Sequence, residues 1–127
     1  MKLGKIDISN QIRFIFMVMF LIAPLVQAET IEIVIFNTKE SVSAEQLIKS
    51  AQNMRTTLAT WEGYQSRELV DLGEGKWADV VHWDNMESAT LAQEKAMKSE
   101  VCLSFFALID DQQQQFYHGN ISLKQTQ

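Results

Sequence analysis

Apolar residues after residue 28 recur at strand and helix spacings that predict four strands, two main helices and a shorter helical piece. In Ile31-Glu-Ile-Val-Ile-Phe36, β-branched residues dominate; Ile31, Ile33 and Ile35 share one face, and Val34 and Phe36 the other, interrupted by Glu32. Both faces are largely apolar, so helices must cover one side and something else the second. Ser43-Ala-Glu-Gln46 has the capping-box pattern, and behind it Leu47, Ile48, Ala51, Met54 and Leu58 follow helical spacing, predicting a helix from Ala44 to Ala59. Gly63, in Trp61-Glu-Gly-Tyr64, is placed to take a positive φ and turn the chain into a second strand.

Tyr64 to Leu72 and Lys76 to Trp83 read as a hairpin joined through Gly73-Glu-Gly75. The second of these, Lys76-Trp-Ala-Asp-Val-Val-His-Trp83, is the expected central strand. Its alternation puts Trp77, Asp79, Val81 and Trp83 on one face and Ala78, Val80 and His82 on the other. Asp84 is the expected cap of a second helix, with Glu87 in the reciprocal position and Met86, Ala89, Ala92, Ala96 and Met97 as its apolar stripe. A helical piece from Val101 to Ile109 and a strand from Gln112 to Leu123 complete the chain. The order β-α-β-β-α-(α)-β predicts an α+β fold: a ferredoxin-like βαββαβ domain whose antiparallel four-stranded sheet carries both main helices on one face. The uncovered face, assigned to Val34, Phe36, Ala78 and Val80, would be buried against a second copy, giving a homodimer closed as a dimeric α+β barrel.

The first 28 residues have a different pattern. Lys2, Lys5 and Arg13 precede an apolar run from Phe14 to Val26, and Val26-Gln-Ala28 offers a small-residue cleavage site. Residues 1–28 therefore read as a cleaved signal peptide and 29–127 as a periplasmic or secreted domain; the apolar run is short for a membrane anchor. The whole chain carries a formal charge of −5. The mature part is more acidic still, since three of the four charged residues removed are basic. Without a basic cluster, no nucleic-acid partner is expected, nor any membrane attachment after cleavage. Cys102 stands alone in an apolar flank, which predicts a buried, inert thiol and no internal disulfide.

The strand Trp77-x-Asp-Val-Val-x-Trp83, the helix opening Asn85-Met-Glu-Ser-Ala89, the corner Trp61-Glu-Gly-Tyr64 and the segment Lys98-Ser-Glu-Val-Cys-Leu-Ser-Phe-Phe106 together resemble the dimeric α+β barrel superfamily. The resemblance is to its antibiotic-biosynthesis-monooxygenase-like domains and covers roughly Thr30 to Leu123. It implies a pocket between sheet and helices, and a range of functions that includes cofactor-free oxygenases, haem-degrading enzymes, isomerases and members without known activity. In the haem-degrading branch, pocket positions match Asn37 and Trp83 here, while the position of the iron-ligating His falls at or near Phe106, which cannot ligate iron. No cofactor is expected.

Asp79, between two Trp on the helix-covered face, is the candidate catalytic residue: a carboxylate in apolar surroundings is suited to deprotonate a phenol. Its alternative is a structural carboxylate satisfied by an indole N–H, a helix amide or an Arg such as Arg67 or Arg55. Asn37, Tyr64, Trp77, Trp83, Phe105 and Phe106 are the candidate pocket and substrate-binding residues; the two Trp read equally as a stacking platform or as core. His82 and His118 are placed toward the barrel interior, without carboxylates at ligand spacing, and no metal is expected. Three functional readings follow. The first is an exported homodimer holding a small apolar or aromatic molecule. The second is a cofactor-independent monooxygenase on a phenolic or quinol-type substrate, and the third a structural dimer whose pocket is filled by its own side chains.

Overall fold

A computed structural model describes residues 27–127; the signal segment assigned to 1–28 lies almost wholly outside the described residues. The elements are β1 (Thr30–Thr38), α1 (Ala44–Asn53), α2 (Arg55–Leu58), β2 (Tyr64–Gly73), β3 (Lys76–Trp83), α3 (Met86–Ala96), α4 (Glu100–Phe106) and β4 (Ile109–Asn120). The four strands form one sheet in the order β2-β3-β1-β4, and every neighbouring pair is antiparallel. This is the ferredoxin-like α+β arrangement, with the central pair β3–β1 contributed by distant parts of the sequence.

Local chemistry accounts for most boundaries. Ser43 and Gln46 form the reciprocal capping box at the start of α1. The expected single helix to Ala59 is broken at Met54. The Ala51 carbonyl, which the Arg55 amide would use in a continuous helix, instead accepts from the Met54 amide at 3.2 Å and from the Arg67 guanidinium at 3.1 Å. Gly63 takes φ +79°, and a Cβ there would collide with the Ser88 side chain, so the corner requires glycine on two counts. Glu74 and Gly75, with φ of 56° and 75°, make the two-residue turn of the β2–β3 hairpin in the form that matches strand twist.

Three expectations are corrected. Asn85, not Asp84, caps α3: its side chain accepts from the Ser88 amide at 2.9 Å, while Asp84 accepts from Gln65. The last helix ends at Phe106 and β4 begins at Ile109, earlier than the Gln run suggested. The faces of β1 are reversed. Antiparallel register sets Phe36 opposite Trp77, Val34 opposite Asp79 and Glu32 opposite Val81, so these β1 residues lie under the helices. Ile31, Ile33 and Ile35 lie on the open face with His82, Val80 and Ala78.

Helices and sheet bury two adjoining clusters. The larger joins Phe36, Leu47, Met54, Trp77, Cys102 and Phe105, with Phe36 and Phe105 edge to face at 6.0 Å. The smaller joins Val81, Trp83, Ala89 and Ala92, and Trp61 and Tyr64 pack against both. Small residues on α3 bring that helix close to the sheet, while Met86 and Met97 stay largely exposed. Each large side chain fully buried here contributes about 1.5–3 kcal/mol. Cys102 is a buried free thiol.

Candidate functional site

The covered face is not filled completely. Between the sheet, the end of α1, α3 and β4 lies a cavity of about 320 Å³, the lower part of the size range of small-molecule sites. Its aromatic walls are Trp61, Trp83, Phe106 and Phe116, with Met54 and Leu58 from the first helical region. Gln93 of α3, Met97 just past its end and Gln114 of β4 line it where the lining residues are exposed, marking its mouth.

Beneath this apolar wall four polar side chains cross the sheet, one from each strand. Arg67 of β2 donates from Nε and Nη2 to the two carboxylate oxygens of Asp79 on β3, both at 2.7 Å. Glu32 of β1 is bonded to His118 Nε2 of β4 at 2.8 Å. Arg67, Asp79 and Glu32 all line the cavity. Burial pushes the Glu32 carboxyl above its ordinary value of 4.5. The hydrogen bond and charge of His118 pull the other way, the Asp79 charge adds to the rise, and Arg67 opposes it. Trp83, 2 % exposed, holds its indole N–H buried without a hydrogen-bond partner among the described residues.

The expected site residues are distributed as follows. Asp79, Trp83 and Phe106 line the cavity. Tyr64 packs edge to face on Trp83 at 5.8 Å and, with Trp77, lines a more open cleft of about 560 Å³ on the other side of Arg67. Phe105 is buried in the core, its ring 4.9 Å from the Arg67 guanidinium carbon. Asn37 does not join the cavity. It continues the open-face alternation of Ile33 and Ile35, stands opposite Lys76, and lines a separate hollow with Gln113 and Gln115. The Asp79 carboxylate is satisfied by Arg67, one of the two arginines named for that role.

The two histidines do not approach each other. His82 is on the open face, 3.3 Å from Glu68, and His118 is on the covered face with Glu32, so each has a carboxylate beside it. The sequence reading missed Glu32 and His118 as a pair because they are 86 residues apart and meet only through the pairing of β1 with β4, where they stand directly opposite. The register shift, where Ile35 faces Gln115 and Asn37 faces Asp110, lies beyond this pair and leaves it undisturbed. Glu32 left a visible signal, a single charge interrupting an apolar strand. Among the described residues no group of three or more His, Cys, Asp or Glu is placed to hold a metal ion.

No family model matches the sequence, and no curated protein does. Solved structures do match the fold. A cofactor-independent oxygenase, SnoaB from Streptomyces nogalater, aligns at 13% identity over 78% of this chain and 96% of its own, with a TM-score of 0.58. A candidate antibiotic biosynthesis monooxygenase from Bordetella bronchiseptica aligns at 16% identity over 76% of this chain and 100% of its own, TM-score 0.64. A dimeric ferredoxin-like protein from an uncultured marine organism aligns at 12% identity over 80% of this chain and 94% of its own, TM-score 0.59. At these identities the likeness establishes architecture: the chain has the ferredoxin-like α+β fold of the antibiotic-biosynthesis-monooxygenase-like proteins.

Proposed function

We propose that the protein is an exported homodimer that binds a small aromatic molecule in the cavity between sheet and helices. The observation that carries this reading is the cavity itself: about 320 Å³ walled by four aromatic rings over a polar floor. The self-filled alternative has less support, because the side chains leave that volume between them. Dimerisation is supported by the apolar open face of Ile31, Ile33, Ile35 and Val80 and by the dimeric state named for one structural neighbour. Export rests on the pattern of residues 1–28.

Cofactor-independent oxygenation of a phenolic or quinol-type substrate is the second reading, favoured by the likeness to SnoaB. Asp79 is poorly placed as its base, since both carboxylate oxygens accept from Arg67. Native mass spectrometry of the mature protein, taken from its own compartment and then titrated with a panel of naphthalene-sized aromatics, tests the binding reading. A dimer that carries one aromatic molecule per chain, starting at Glu29, is expected. Ala96→Phe, which places a ring in the cavity wall, should leave the dimer intact and lower aromatic affinity at least about tenfold, the equivalent of 1.4 kcal/mol. A wild-type dimer that takes up none of the panel, or an Ala96→Phe protein that binds as well as wild type, sinks it.

A further inference from the structure

The four polar residues under the cavity are not equivalent. Arg67 is fully engaged: Nε and Nη2 are on Asp79, and Nη1 is on the Ala51 carbonyl and Met54 sulfur. Asp79 is therefore matched in charge and in geometry. Glu32 has a single partner, and its charge is matched only while His118 is protonated. Among the described residues, only His118 reaches its carboxylate, through Oε2, and the carboxylate borders the cavity. The other charged residues lining this cavity are Arg67, Asp79 and Asp111; the lining residues of the helices (Met54, Leu58, Ala92, Gln93, Ala96, Met97 and Phe106) carry no charge. With His118 neutral, the row Arg67–Asp79–Glu32–His118 has one negative charge in excess, centred on Glu32. One proton gained there would neutralise it. Trp83, which also lines the cavity, holds an indole N–H that has no partner among the described residues.

Taking the cavity as an aromatic site, we infer that Glu32 and His118 form its proton-accepting pair, and that the ligand is an aromatic molecule bearing an ionisable hydroxyl. The hydroxyl donates to the Glu32 oxygen that His118 does not occupy. Where transfer is complete, the ligand O–H bond breaks and an O–H bond forms on Glu32. The electron pair stays on the ligand oxygen as an aryloxide; nothing is oxidised or reduced, and the charge of the assembly is unchanged. His118 Nε2–H holds the carboxylate in place from the β4 side. The raised Glu32 carboxyl brings its basicity closer to that of a phenol, which favours sharing of the proton.

The test compares 1-naphthol with 1-methoxynaphthalene, which has the same ring system and no hydroxyl proton, by calorimetry across a pH series. A hydrogen bond to a charged acceptor is about twice as strong as a neutral one, so wild type should bind the naphthol roughly tenfold more tightly at neutral pH. That preference should shrink as pH falls through the Glu32 titration, because a protonated Glu32 accepts only as a neutral group. Glu32→Gln should hold a smaller preference that does not change with pH, with ether affinity within about twofold of wild type. Equal binding of naphthol and ether by wild type overturns the assignment while leaving the aromatic site standing. So does an unaltered pH-dependent preference in Glu32→Gln. Failure of both ligands to bind overturns the aromatic site and this pair with it.

Discussion

At Arg67 the sheet, the end of α1 and the cavity wall meet in one side chain. Its guanidinium forms a bidentate pair with Asp79, bonds the Ala51 carbonyl and lies over the Phe105 ring. Both members of the pair are buried, with side chains 8 % and 11 % exposed. Removing one partner leaves an uncompensated charge, which typically costs about 3–5 kcal/mol, whereas replacing both with apolar residues of similar size is often near neutral. Arg67→Met should therefore destabilise by about that amount in urea unfolding, and Arg67→Met with Asp79→Leu should recover most of the loss. A single change costing under about 1 kcal/mol, or a double variant no better than the single, would show that the pair is not what holds this corner. At the same scale, the sequence put Asp79 and Trp83 on the covered face, because alternation along a strand reveals which residues share a face. It could not pair Glu32 with His118, because that contact depends on the register of β1 against a strand 86 residues away, which no local pattern records.

Among the elements, α3 shows how local signals compete. Asp84 and Asn85 are both good capping residues in sequence. The Asp84 amide donates to the Gly63 carbonyl at 2.8 Å, holding that residue at the exit of the sheet, and its carboxylate accepts from Gln65. Asn85 is thereby left to begin the helix, with Ser88 three residues on. Asn85→Ala should cost about 1 kcal/mol of stability, and Asp84→Ala less, since the bond it loses is exposed; thermal unfolding of the two variants side by side checks the order. A larger loss from Asp84→Ala would return the cap to Asp84. The corner at Gly63 and β3 were legible to the residue and the hairpin to within one, Gly73 belonging to β2, because glycine spacing and β-branched runs are local features. The break at Met54 was not, since the Ala51 carbonyl there also accepts from Arg67, a side chain arriving from the next strand.

For the whole molecule, the decisive quantity is which face of the sheet remains open. Alternation told Ile31, Ile33 and Ile35 apart from Val34 and Phe36, but both sets are apolar, so only pairing with β3 could assign them. Pairing puts Ile33 beside Val80 and Tyr117 on the open side. A continuous face of apolar residues, half-buried at Ile33 and Val80 and exposed at Tyr117, is the kind that a second sheet covers. A charge at the centre of such an interface would be desolvated on association without a partner. Ile33→Glu should thus convert the proposed dimer to monomer at micromolar concentrations in analytical ultracentrifugation, while Ile48→Glu on the exposed side of α1 should not. The cavity is lined on the other side of the sheet by residues of a single chain. A folded Ile33→Glu monomer is therefore expected to bind 1-naphthol with an affinity within a few-fold of the dimer. Loss of binding together with dimerisation would mean that the two faces are coupled through β1. Dimerisation unaffected by Ile33→Glu would place the interface elsewhere.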